Sequence, residues 1–127
     1  MASGLGGCDL AATLSVMAGA DAVDCGAAPL HGNRDPVDGC SAMARRFGTP
    51  FRGRYTQPGY DGRVEQAIVG TPHGEVYFLA YDGDPCGGGR CPPALYQREC
   101  KSPTVLTTQY GSWIDCAALD APVAVCR

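Results

Sequence analysis

Asp35-Pro36-Val37-Asp38-Gly39-Cys40-Ser41-Ala42-Met43-Ala44-Arg45-Arg46-Phe47, followed by strand-like runs as far as Tyr81, carries the clearest local signals in this 127-residue chain. Asp35 is placed to cap a helix, Pro36 suits a first helical position, and Asp38 puts a carboxylate in the first turn. Val37, Cys40, Ala44 and Phe47 recur at helical spacing and share one face. Arg45 and Arg46 stand in the last turn, Gly48 suits a left-handed stop, and Pro50 forbids continuation. Gly39 costs about 1 kcal/mol relative to alanine, so the helix requires tertiary support, which Cys40 would supply covalently.

Arg63-Val64-Glu65-Gln66-Ala67-Ile68-Val69 and Glu75-Val76-Tyr77-Phe78-Leu79-Ala80-Tyr81 read as strands. Gly70-Thr71-Pro72-His73-Gly74 between them reads as a hairpin turn, with proline fixing one angle and Gly74 supplying a positive one. In the second strand Val76, Phe78 and Ala80 line one face, and Tyr77, Leu79 and Tyr81 the other. Two apolar faces mark a central strand covered by a helix. Phe51 to Thr56 alternates and reads as a further strand, as do Leu95–Cys100, Thr104–Thr108 and Ser112–Cys116. Ala121–Cys126 reads as an edge, because Pro122 forbids one ladder bond.

Eight cysteines, at positions 8, 25, 40, 86, 91, 100, 116 and 126, dominate the composition. Cys8, Cys25, Cys40, Cys86, Cys91, Cys100, Cys116 and Cys126 include no C-x-x-C pair, and only two histidines could complete a metal shell. An even count without metal spacing favours disulfides, hence an oxidising compartment, with at least six cysteines bridged. Cys86–Cys91 is the one pair expected by name; no cofactor or metal is expected. Disulfides require export, so an export leader is expected ahead of this chain. Leu5-Gly6-Gly7-Cys8 resembles the end of a bacterial lipoprotein signal, which would anchor the chain through lipid. The competing reading, favoured by the even count, is a Gly-rich arm with an ordinary disulfide cysteine.

The chain is expected to be one disulfide-rich domain, 1–127, with residues 1–20 a loose N-terminal arm. Leu10, Leu14 and Met17 offer a short helical face there, interrupted by Gly19, Gly26 and Pro29. A net charge of -3 argues against general nucleic-acid binding, and no apolar run is long enough to span a membrane. Asp82-Gly83-Asp84 begins like a calcium loop without the later ligands or closing glutamate. The glycines at 87–89 lack the lysine of a phosphate loop.

Arginines cluster at Arg45, Arg46, Arg52, Arg54 and Arg63, after acids at Asp9, Asp21, Asp24, Asp35 and Asp38. If Arg52, Arg54 and Arg63 project from adjacent strands beside Tyr55 and Tyr60, they form a basic patch able to grip carboxylates or phosphates. The alternative is that Asp24, Asp35, Asp38 or Glu65 neutralise them within the fold. His31 and His73 lie in turn-rich segments outside any catalytic motif; a trio of His73, Ser112 and Asp115 is one that many chains of this size offer.

Two resemblances add to this reading. Ala22-Val23-Asp24-Cys25-Gly26, Val37-Asp38-Gly39-Cys40, Pro50-Phe51-Arg52, Tyr60-Asp61-Gly62-Arg63-Val64 and Tyr81-Asp82-Gly83-Asp84-Pro85 together resemble small exported, often lipid-anchored, cysteine-rich proteins of Gram-negative soil bacteria. That resemblance implies export and no particular activity. Gln66-Ala67-Ile68-Val69-Gly70 resembles the Gln-x-Val-x-Gly segment of cystatins, with isoleucine for the central valine and no Pro-Trp second wedge. It implies a helix on a curved sheet, and inhibition of cysteine proteases.

The expected fold is therefore α+β: one main helix, Asp35–Phe47, on an antiparallel sheet of about four or five strands. The expected role is an exported, non-enzymatic binding or inhibitory module for an extracellular or periplasmic protein or acidic ligand. The alternative is a small secreted hydrolase using His73 or His31.

Overall fold

The computed structural model describes residues 9–58 and 63–126. In chain order the elements are α1 (Leu10–Ala18), β1 (Val23–Pro29), α2 (Asp35–Arg46), β2 (Phe51–Pro58), β3 (Arg63–Gly70), β4 (Val76–Asp82), β5 (Ala94–Lys101), β6 (Thr104–Thr108), β7 (Gly111–Asp115), β8 (Ala118–Leu119) and β9 (Val123–Cys126).

The protein is mostly β, built on a seven-stranded mixed sheet with a helix on each face and a separate β6–β7 hairpin. The strand order is β9-β5-β4-β3-β2-β1, and β8 also pairs with β5. Along the outer edge of β5, β9 pairs over Leu95–Gln97 and β8 over Cys100 and Lys101. This corrects the expected α+β fold of one main helix on four or five antiparallel strands. Two strands were not expected, the short β8 and β1; β1 runs parallel to β2 because α2 carries the chain back between them, as a parallel pair requires.

Of the expected loose arm, residues 1–8 lie outside the described residues, and Leu10–Ala18 forms helix α1. Asp9 Oδ1 accepts the Ala12 N–H at 3.0 Å, and Gly19, at φ 88°, ends the helix. Its stripe of Leu10, Leu14 and Ala18 is buried against Ala67, Val69, Leu79 and Leu95. On the opposite face Val37 and Ala44 of α2 pack with Phe51, Tyr55, Ile68 and Val76, joined by Ile114 from β7.

Helix α2 forms close to where expected, with two differences. Arg34, not Asp35, occupies the cap position without a side-chain bond, and the Asp35 N–H is held instead by Asn33 Oδ1 at 3.1 Å. Phe47 is not on the buried stripe: the helix stops at Arg46, the chain turns at Gly48 (φ 71°), and Phe47 swings out to 74 % exposure.

Disulfides join Cys25 to Cys40, Cys86 to Cys91 and Cys100 to Cys116, and Cys126 is also bridged. Cys8 lies outside the described residues. Cys25–Cys40 ties α2 to β1, supplying the expected covalent support. In the Cys86–Cys91 loop the acids serve the backbone: Asp82 accepts the Asp84 N–H, and Asp84 accepts the Gly89 N–H.

Candidate functional site

Register decides what the α2 face of the sheet offers. Tyr55, Gln66, Ala80 and Tyr96 form one cross-strand row, and Ile68, Phe78 and Arg98 belong to the neighbouring row. Three strand spacings separate Tyr55 from Tyr96, about 14 Å. Gln66 and Ala80 in the middle are exposed, since α2 covers the β1–β2 side and the hairpin reaches only the Val76–Cys100 end. A cleft of about 280 Å³ results, floored by Gln66, Phe78, Ala80 and Tyr96 and bounded by Leu119 and Pro122.

An arginine stands at each side of this cleft. Arg34 lies 3.8 Å above the Tyr55 ring centroid and forms no ion pair among the described residues. Arg98 Nε donates to the Asp120 backbone oxygen at 2.7 Å, pinning the Leu119–Pro122 segment as a wall. Beyond Arg34 lies a smaller chamber of about 130 Å³, which shares Arg34 and Phe78 with the cleft and adds Asp38, Ser41, Tyr55 and Trp113. The Tyr55 hydroxyl donates to Asp38 Oδ1. Burial first, and then that bond, push the phenol well above its ordinary 10.0; the neighbouring Arg34 charge opposes the shift.

The arginine patch read from the sequence is not assembled as expected. Arg52 and Arg54 do project together, on the α1 face, and line a third cleft of about 310 Å³ with Asp24, Ser15 and Leu14. Both are already paired: Arg52 with Asp24 at 3.4 Å, and Arg54 with the buried Glu65 at 2.5 Å. Tyr55 cannot join them, because alternation turns it to the opposite face, where it is 1 % exposed. Tyr60 lies outside the described residues, as does the side chain of Arg63, which opens β3. Arg45 and Arg46 serve as fasteners, donating to the Gly74 backbone oxygen at 2.6 Å and to Thr107 Oγ1 at 3.1 Å.

His31 and His73 are exposed, and no hydrogen bond joins either to a described residue, so His73, Ser112 and Asp115 form no triad among the described residues. The Gln66–Gly70 segment is part of the interior strand β3, with Ala67, Ile68 and Val69 buried. Arg34, Asp38, Ser41, Tyr96, Arg98 and Trp113 are the site residues that sequence reading missed. The usable signal was the two-faced apolar pattern of β4, which implied a neighbouring row of similar character. Among the described residues no helix is long and apolar enough to cross a membrane. No family model, curated protein or solved structure matches the chain.

Proposed function

We propose that this chain is an exported, non-enzymatic binding module that takes a small acidic ligand with a flat apolar body in the cleft between Arg34 and Arg98. The observation that carries this reading is Arg34: a guanidinium held over Tyr55, without an ion pair among the described residues, at the end of an apolar trough. Concave sites that are mostly apolar with a few convergent polar groups are where small ligands bind. An unpaired arginine supplies a strong anchor for a carboxylate or phosphate. Export is supported by the bridged cysteines, since disulfides persist in oxidising compartments. The hydrolase alternative draws no support from His31 or His73, which line none of the three clefts described above.

Titration of the oxidised chain with 1-naphthoate, followed by backbone amide shifts, tests the reading. Shifts should concentrate on Ala80, Tyr96 and Arg98, and Arg34→Gln should weaken binding about tenfold, the loss of one charge-assisted bond. Shifts scattered over the surface, or equal affinity of the variant, would overturn it.

A further inference from the structure

The chamber behind Arg34 holds a polar side chain that the fold does not use. Ser41 is 0 % exposed, and its hydroxyl makes no hydrogen bond among the described residues. Buried polar groups are normally paired, because leaving one unmade costs about 1–3 kcal/mol. Ser41 sits one turn beyond Asp38 on α2, so both side chains reach the same space. Asp38 is held by the Tyr55 hydroxyl through Oδ1 alone; its second oxygen has no partner among the described residues. Arg34 completes the polar set, and Phe78, Trp113 and Ile68 provide apolar walls.

These groups define a selection rule. Arg34 only donates, Asp38 only accepts, and Ser41 does either. A carboxylate head would gain from Arg34 and be repelled by Asp38. An ammonium head would meet the reverse. A neutral head with one acceptor and one donor satisfies both, and its planar form suits the aromatic walls. The volume of about 130 Å³ exceeds what a single water needs and admits such a head with the first atoms of an attached ring.

We propose that the chamber formed by Arg34, Asp38, Ser41 and Trp113 is a subsite for a neutral carboxamide, its oxygen bonded by Arg34 and Ser41 and its N–H groups by Asp38. This goes beyond the acidic-ligand reading and does not rest on it: the two spaces share only Arg34 and Phe78 in their linings.

Trp113 is the sole tryptophan of the chain, so its fluorescence reports on the chamber directly. Benzamide should change that fluorescence saturably in the oxidised full chain, and benzoate and benzylamine should bind at least about fivefold more weakly, the worth of one lost hydrogen bond. Ser41→Ala should weaken benzamide by about three- to tenfold with an unchanged or raised Tm. Asp38→Asn should reverse the order, favouring benzoate, because Arg34 is then the only charge on the wall. Arg98→Gln should leave benzamide binding unchanged while weakening 1-naphthoate, which separates the failure of one reading from that of the other. No saturable response up to the solubility of benzamide would show that the chamber holds solvent only. That result, equal binding of benzoate, or an unaltered Ser41→Ala titration would each overturn the proposal.

Discussion

Gly53 on β2 lies directly beneath Val37 of α2: a Cβ at position 53 would stand 2.4 Å from Val37 Cγ1. No helix seated this low tolerates a side chain there, so this glycine sets the height of α2 and with it the depth of the chamber. Gly53→Ala should destabilise the protein by about 1–3 kcal/mol, the usual cost of overpacking, as read by urea denaturation. Adding Val37→Ala should recover part of that loss, because the clash and the cavity offset one another. A double variant no better than the sum of the singles would show that the contact does not govern the packing.

The two paired arginines of the α1 face should behave differently when removed. Arg52 faces Asp24, which is 63 % exposed, and such a pair contributes about 0–1 kcal/mol. Arg54 binds Glu65, whose carboxylate is 2 % exposed. Arg54→Gln therefore takes a charge-assisted bond from a buried carboxylate, and it should cost about 1–3 kcal/mol after allowing for the partial exposure of the guanidinium. Equal Tm losses for Arg52→Gln and Arg54→Gln would contradict this assignment.

How much of this was legible in the sequence follows from the range over which each signal acts. Helix α2 and the β3–β4 hairpin were readable because caps, turn residues and alternation lie within a few positions. Helix α1 carried a usable signal in Asp9 and Gly19, which cap and stop it, but the glycines and Pro29 beyond it masked that pattern. Strand β1 was not readable. Val23-Asp24-Cys25-Gly26-Ala27-Ala28-Pro29 does not alternate, Gly26 stands at φ 76°, and the register slips between Asp24 and Ala27. Its strand character comes from pairing with β2 and from Cys25–Cys40, both nonlocal. The candidate site was illegible for the same reason: Arg34, Ala80, Tyr96 and Trp113 belong to separate segments that meet only through sheet register and the placement of the hairpin.

The disulfides should rank by the length of chain they close. Cys25–Cys40 spans 15 positions and Cys86–Cys91 only 5. In the chain-entropy model these correspond to about 3 and about 2 kcal/mol. The first also holds α2 against β1, whereas the second closes a loop whose backbone Asp84 already fastens. Replacing both cysteines of the Cys25 pair by alanine should therefore lower Tm more than replacing both of the Cys86 pair. The reverse order would place the covalent support of the fold in the loop.

Alkaline conditions should weaken the fold through Tyr55. Its folded phenol is raised above the ordinary 10.0 by burial and by the bond to Asp38. Above pH 10 the unfolded chain loses this proton and the folded chain keeps it, so the native state binds more protons and stability falls as pH rises. Below pH 10 both states are protonated and the contribution is complete. Tyr77 and Lys101, also raised, act with the same sign but are far less buried. Tyr55→Phe should lower stability at pH 8 by about 1 kcal/mol, for the lost bond to Asp38, yet flatten the decline between about pH 10 and 11, where the tyrosine would otherwise titrate in the unfolded chain. Urea denaturation of both proteins across that interval checks it. Parallel declines would mean that Tyr55 ionises in the folded state as readily as in the unfolded one, and that its hydroxyl is not sealed beneath Arg34.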